Sequence, residues 1–252
     1  MDQIEKAARF AELHVKGTPV VLYNAWDAGS AIAVAAAGAK AIATSSWAVA
    51  ETQGYRDGEA IPLEFVYQIV SRIVETTYLP VTVDFEGGYG EDDTELAENI
   101  TRLIALGVVG INFEDRVVKG SGLYEIDQQA RRIAAIRTAA EQMGVDLFIN
   151  ARTDVFLGHT RDVRTGVVEV EARAKAYAAA GASGVFVPGL VDTAAIGWLA
   201  GNVKLPLNVM VKEGIPSNDR LAKLGVSRIS YGAMPFGRAM STVEELAKEA
   251  FL

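Results

Sequence analysis

The chain contains no cysteine, which excludes disulfides, thiolate metal sites and any Cys nucleophile or Cys acid. Histidine is nearly as scarce. The two that occur, His14 in an N-terminal helix and His159 in a loop after a strand, read as solvated or structural rather than catalytic. No stretch approaches roughly 18 uncharged apolar residues, and the N-terminus alternates in charge without the apolar centre of a signal peptide. A soluble, cytoplasmic protein with no membrane partner is the expectation. Positive charge is also short, with 24 Lys and Arg against 32 Asp and Glu for a net charge of -8. The basic residues do not cluster, so phosphate neutralisation along a nucleic acid is excluded. An anionic substrate would therefore need positive charge placed locally.

What is present is a regular alternation. Short β-branched runs over 19–24, 39–44, 80–85, 108–113, 146–150, 184–187, 206–210 and 227–230 read as eight strands. Ala-rich helical patterns fill 28–37, 63–76, 93–106, 127–143, 167–180, 193–199 and 217–224, and a further helix follows the last strand. Gly38, Gly107, Gly181 and Gly225 each end a helix just before an even-numbered strand, a weak internal repeat. The strands are apolar almost throughout, as parallel strands covered by helices should be. Eight such units in 252 residues, half of them hydrophobic, favour one domain over 1–252 folded as a (β/α)8 TIM-type barrel. No Gly-x-Gly-x-x-Gly follows the first strand, which disfavours a dinucleotide fold.

In such a barrel the chemistry sits where strands end, so the polar strand ends carry the functional expectation. They are Asn24-Ala25-Trp26-Asp27, Thr44-Ser45-Ser46-Trp47, Asp84-Phe85-Glu86, Asn112-Phe113-Glu114-Asp115 and Asn150-Ala151-Arg152-Thr153-Asp154, with Asn208 on the seventh strand. Two residues apart on an extended strand, Asp84 and Glu86 would leave the same face and share one ion, which Glu114 on the next strand would join. Three such carboxylates repel by roughly 4 kcal/mol per pair at an effective dielectric near 20, so they stay ionised together only around a cation. All-oxygen ligation points to Mg2+, or Mn2+. Gly87-Gly88-Tyr89-Gly90 brings backbone close to whatever binds there. Arg152 either pairs with a neighbouring acid or holds a substrate carboxylate or enolate. Asp115 and Asp154 read as caps or ion-pair partners. No Lys ends a strand, Lys119 and Lys212 lying a few residues beyond, which disfavours a Schiff base. Asn24, Trp47, Gly87 and Asn208 complete the set of candidate substrate contacts.

Taken in order along the chain, these strand-end motifs resemble the isocitrate lyase and phosphoenolpyruvate mutase superfamily, from about Val21 to Arg238. The resemblance implies a Mg2+-dependent barrel that makes or breaks C–C or C–P bonds beside a carboxylate, through an enolate-like intermediate. By position, Asp84 resembles the direct metal ligand, and Glu86 and Glu114 resemble ligands acting largely through water. Asp57, in Gly54-Tyr55-Arg56-Asp57-Gly58, resembles the loop aspartate near the metal. Ser45 and Ser46 resemble the turn that binds the substrate carboxylate through backbone N–H groups. Arg152 resembles the arginine that stabilises the substrate oxyanion.

Two departures narrow the activity. The superfamily's isocitrate and methylisocitrate lyases carry a Lys-Lys-Cys-Gly-His motif after strand four, where this chain reads Arg116-Val117-Val118-Lys119-Gly120-Ser121-Gly122-Leu123. That loop also lacks the Asn that the C–P enzymes place over the phosphoryl group. What remains resembles the oxaloacetate decarboxylase-like and unassigned α-keto acid branches. The expected function is a Mg2+-dependent lyase or decarboxylase of a small α-keto or 2-hydroxy dicarboxylate, working as a homo-oligomer, dimer or tetramer. The alternatives are a C–P bond enzyme and a non-catalytic keto-acid binding protein. A phosphate-binding barrel is disfavoured, because Gly214 and Gly232 are too sparse to form its loops.

Overall fold

Parallel strands need a covering helix in the connection that joins them, and the chain supplies at least one α-helix after every strand, two of them between β2 and β3. The computed structural model describes residues 1–159 and 162–251. The side chain of His159 lies outside the described part. Eight parallel strands form one sheet in the order β1-β8-β7-β6-β5-β4-β3-β2: β1 (Val20–Leu22), β2 (Ile42–Ala43), β3 (Val81–Asp84), β4 (Gly110–Glu114), β5 (Phe148–Arg152), β6 (Gly184–Phe186), β7 (Leu207–Met210) and β8 (Arg228–Ser230). The seam between β1 and β2 closes just beyond their ends, where Ala25 N donates to Ala43 O at 2.8 Å and Ser45 N to Ala25 O at 3.1 Å. The expected (β/α)8 barrel is the fold observed.

The outer layer is α1 (Gln3–Glu12), α2 (Ala28–Ala36), α3 (Ser46–Thr52), α4 (Leu63–Glu75), α5 (Asp93–Ala105), α6 (Ile126–Gln142), α7 (Val163–Ala179), α8 (Thr193–Asn202), α9 (Asn218–Lys223) and α10 (Met234–Ala250). Gly38, Gly107, Gly181 and Gly225 sit just past the C-caps of α2, α5, α7 and α9 at φ 95°, 98°, 99° and 92°. Only glycine adopts that conformation without strain, which explains the repeat. Several boundaries differ from expectation, most by trimming of strand ends such as β1 and β2, and three have a local cause. Helix α3 forms where a turn was read, because Ser45 and Ser46 open a run of helix formers too short to show periodicity. Strand β5 runs on to Arg152, since its ladder with β4 continues through the Glu114–Arg152 pair. Helix α7 starts at Val163, capped by Asp162, whose carboxylate accepts from Thr165 N. On α10, Met240, Val243 and Leu246 are exposed apolar residues on one side of a helix that projects beyond the barrel. Among the described residues no helix is long and apolar enough to cross a membrane.

Helix α1 covers the barrel's N-terminal end. His14, just after it, is buried, stacked on Phe148 with ring centroids 3.9 Å apart and set edge-on to Phe10. Its Nδ1 lies 2.8 Å from Phe10 O, and its Nε2 has no partner. Burial, then the charge of Arg228, lowers its pKa from 6.5 to about 3. The folded pKa lies below the unfolded one, so between these values the unfolded chain binds the extra proton and stability falls as pH falls. Relative to His14→Met, the wild type should lose about 2 kcal/mol between pH 8 and pH 5, at 1.36 kcal/mol per unit below 6.5. Urea denaturation at both values checks this, and a difference that does not change with pH would refute it.

Candidate active site

Register decides which strand ends face one another. Asp84 pairs with Asn112 and Asn112 with Asn150, while Glu114 pairs with Arg152. The C-terminal ends of β3, β4 and β5 therefore bring a carboxylate, a carboxamide and a guanidinium together. Asp84 is held from both sides. Its Oδ2 accepts from Ser46 N at 3.2 Å and lies 2.9 Å from Ser46 Oγ, and its Oδ1 accepts from Asn112 Nδ2 at 3.3 Å. The Ser46 hydroxyl also lies 3.2 Å from Asp57 Oδ1, so its one proton serves either acid. Asp84 N in turn donates to Thr44 Oγ1 at 3.0 Å.

Arg152 is gripped at three points. Its Nε and Nη2 donate to the two oxygens of Asp154 at 2.6 and 2.9 Å, a bidentate pair, and its Nη1 lies 2.9 Å from Glu114 Oε2 and 4.0 Å from Asp84 Oδ1. Of the two readings of Arg152, pairing with neighbouring acids is the one these contacts show, and the pairing leaves its Nη1 beside Asp84. Asp154 is itself fixed from behind, because its N–H donates to Asp115 Oδ1 at 3.1 Å. Asp115, fully buried, takes Arg173 Nη1 at 3.1 Å and the Tyr177 hydroxyl at 2.8 Å on its other oxygen.

Glu86 reaches the cluster differently from the extended-strand expectation. Strand β3 ends at Asp84, and Glu86 sits at φ 48° in a turn that Gly88 N closes on Phe85 O at 2.8 Å. The turn forms because Gly87 and Gly88 follow and Arg132 clamps it. Arg132 Nη2 donates to Gly87 O at 2.6 Å and Gly90 O at 3.1 Å, and its guanidinium is stacked between the Phe113 and Tyr124 rings. The Glu86 carboxylate then accepts from Glu59 N at 2.8 Å and from the Tyr89 hydroxyl at 3.1 Å. Glu59, Tyr89, Asn112, Thr44 and Arg132 all support the site, and only their contacts across the fold reveal it. Thr44, Tyr89 and Asn112 lie within the strand-end motifs, but no local pattern singles out Glu59 or Arg132.

Among the described residues, no group of three or more His, Asp or Glu side chains is placed to hold a metal ion directly. Glu114 is engaged by Arg152, and Glu86 by Glu59 and Tyr89. The four acids nevertheless feel one another. Burial, then Asp84, raises the pKa of Asp57; burial, then Asp57 and Asp84, pushes Glu86 up to about 7. Burial foremost also raises Glu114, against the pull of Arg152. An all-oxygen cluster whose nearest guanidinium is already held by Glu114 and Asp154 is short of positive charge, which fits a hard divalent cation.

The other expected contacts are engaged as follows. The Asn24 amide laces strand ends together, donating to Thr44 O at 2.7 Å and accepting from Tyr231 N and Gly232 N at 3.0 and 2.9 Å. Ser45 N closes the barrel seam and Ser46 N binds Asp84, so neither N–H is free for a carboxylate in this conformation. Asn208 bonds Ser230 inside the barrel at 3.1 Å. Trp47 packs edge-on against Phe236 with ring centroids 5.7 Å apart. Gly87 is covered by the loop over 116–123: a Cβ there would meet Val118 at 2.8 Å. Beside that contact lies a cleft of 310 Å³ lined by Gly87, Arg116, Lys119, Tyr124 and Arg132.

A closed parallel barrel with acids and one clamped guanidinium at its C-terminal strand ends defines the class: an α/β-barrel enzyme. The model of the phosphoenolpyruvate phosphomutase family matches residues 10–251, and the chain belongs to that family, within the isocitrate lyase and phosphoenolpyruvate mutase superfamily of lyases and mutases. An uncharacterised protein of Mycobacterium tuberculosis is 32% identical over 239 residues, 95% of this chain and 87% of that one. An oxaloacetate decarboxylase of Ectopseudomonas mendocina is 30% identical over 198 residues, 74% of this chain and 63% of its own length. A crystal structure from Burkholderia cenocepacia J2315, provisionally named a phosphonomutase, superposes with a TM-score of 0.94 at 48% identity, over 97% of this chain and 99% of that one. A phosphonopyruvate hydrolase solved with oxalate and Mg2+ shares the fold, with a TM-score of 0.84 at 21% identity over 99% of this chain and 84% of that one.

Proposed function

We propose that the chain is a Mg2+-dependent lyase or decarboxylase of a small α-keto or 2-hydroxy dicarboxylate. The observation that carries this is the pairing of Arg152, fixed in plane by Asp154 and Glu114, with Asp84, fixed by Ser46 and Asn112, on neighbouring strand ends. Asp84 would hold Mg2+ directly, with Asp57, Glu86 and Glu114 around it through water. Bound there, Mg2+ would supply Lewis-acid polarisation of the substrate's C2 oxygen.

The chain's own residues do the rest. Arg152 cannot rotate away from the plane set by its bidentate partner, so its charge is already in position when negative charge grows on the C2 oxygen. That preorganisation lets the electrons of the breaking C3–C4 bond form a C2=C3 double bond while the C2 carbonyl pair moves onto its oxygen and C4 departs as CO2. The loop over 116–123 lays Val118 against Gly87 and Gly58. A valine has no proton to give, so C3 is protonated by water in this scheme. Oxaloacetate needs no more than that, whereas the tricarboxylate lyases carry a motif cysteine that this chain lacks.

A C–P reading is favoured by one observation, the provisional phosphonomutase name of the 48% identical structure. Oxaloacetate, phosphonopyruvate and methylisocitrate offered separately with Mg2+ distinguish the readings. Release of CO2 and pyruvate from oxaloacetate is expected, with methylisocitrate inert. Turnover of phosphonopyruvate alone would favour the C–P reading, and thermal stabilisation by all three without any product would favour a binding protein.

A further inference from the structure

Arg228 opens β8 and is completely buried. Its Nη2 donates to Asn112 Oδ1 at 3.0 Å and its Nε to Ser230 Oγ at 3.3 Å, while Nη1 has no partner. No carboxylate among the described residues lies within ion-pair distance of it, unlike Arg152 and Arg173. A buried cation without an adjacent anion is costly and needs a compensating charge further off. Burial lowers its pKa to about 9, with Asp84 pulling it back up, so the guanidinium stays charged at neutral pH.

The route to Asp84 is a single side chain. Asn112 Oδ1 accepts from Arg228 and also from Asn150 Nδ2 at 2.9 Å, and this turns Asn112 Nδ2 toward Asp84 Oδ1. On the mouth side of Asp84 stand Asp57, Glu86 and Glu114, with Arg152 already shared between Glu114 and Asp154. We infer that Arg228 is a built-in counter-charge to this acid cluster: a permanent cation beneath Asp84 that steadies the carboxylates without metal and weakens divalent-cation binding there. This rests on the reading of Asp84 as the metal-holding carboxylate.

Two effects of Arg228 oppose each other, and their sizes decide the sign. Its hydrogen bond helps to orient Asn112, but Asn150 still donates to the same oxygen when Arg228 is gone, so the amide keeps its direction. Its charge has no substitute, and its repulsion acts on both charges of Mg2+ across the Asn112 amide, its two hydrogen bonds and the Asp84 carboxylate, through buried protein rather than water. The charge effect therefore dominates.

The test is calorimetric titration of MgCl2 into the full-length protein and three variants. Arg228→Gln keeps a donor and removes the charge; Ser230→Asp leaves Arg228 in place and sets an anion on its Nε; Arg228→Lys keeps the charge. Affinity should tighten about tenfold or more in the first two and stay within about threefold of wild type in the third. The melting temperature without metal should fall in Arg228→Gln and recover further on adding Mg2+ than in the wild type. A merely structural role would lower the melting temperature without tightening Mg2+ binding. Either charge-cancelling variant suffices if the other does not fold. Unchanged or weaker affinity in both overturns the inference alone, provided Asp84→Ala still removes wild-type binding. Binding that survives Asp84→Ala sinks the site assignment, and no binding in any of the proteins overturns both.

Discussion

Replacing Asp84 by alanine is expected to weaken Mg2+ binding by at least about a hundredfold, the equivalent of roughly 3 kcal/mol, because a charged ligand oxygen is lost from a preorganised position. The position is preorganised because Ser46 N, Ser46 Oγ and Asn112 Nδ2 all converge on its two oxygens. The two N–H donors cannot supply a ligand, the Ser46 hydroxyl brings no charge, and Glu86 and Glu114 are held elsewhere. The metal-free protein should not suffer in proportion. Removing Asp84 relieves the repulsion it exerts on Asp57, Glu86 and Glu114 but takes away the anion that compensates the buried Arg228, so the two effects offset and the melting temperature should change little. Lost affinity with retained stability is the signature of a residue kept for function. Calorimetry of Asp84→Ala with unchanged Mg2+ affinity would show that the carboxylate has been misassigned.

The second large effect belongs to Arg152→Lys, whose turnover on the keto acid identified by the substrate panel should drop by about 10²–10³ with a smaller change in KM. A lysine keeps the charge but has no planar fork, so it cannot bond both oxygens of Asp154 and face Glu114 at once. Its charge would wander from the place where negative charge develops. Lysine is the informative choice, since Arg152→Ala would leave Glu114 and Asp154 buried without a cation, at a cost of roughly 3–5 kcal/mol in stability. Steady-state kinetics alongside urea unfolding separate the two effects. A kcat near that of the wild type in Arg152→Lys would remove Arg152 from the chemistry. Asp154, which by sequence reads as a cap or ion-pair partner, is the ion-pair partner that fixes Arg152.

Much of this was legible from local pattern. Eight β-branched runs between Ala-rich helices, each even strand announced by a helix-ending glycine, are features that repeat within a few residues and survive any tertiary arrangement. The acids and the arginine at the ends of β3, β4 and β5 were equally visible, because strand ends in a barrel are where polar residues have a reason to stand. The geometry of Glu86 was not. Spacing of two predicts a shared face only while the strand continues, and here a glycine turn clamped by Arg132 ends it one residue earlier. Asn24 and Ser45 looked like ligand contacts for the same reason that makes them strand-end ties: a polar group beside an open seam serves either.

The sequence by itself determined the barrel, its order of elements, the acidic and oxygen-rich character of the site and the lack of a thiol acid. Those follow from residue type and short-range periodicity. Only the tertiary structure decided which donor serves which acceptor. Asp84 is held by a serine from α3 and an amide from β4; Arg152 is locked by acids on its own strand end and the next; Arg228 reaches Asn112 from a strand 116 residues away in sequence. Hydrogen bonds and charge pairs form between groups that closure of the barrel brings within a few Å, and no spacing along the chain encodes that distance. What was read as a metal-binding pair, Asp84 with Glu86, is in the folded molecule one preorganised carboxylate within a ring of acids, with Arg152 at its side and Arg228 beneath.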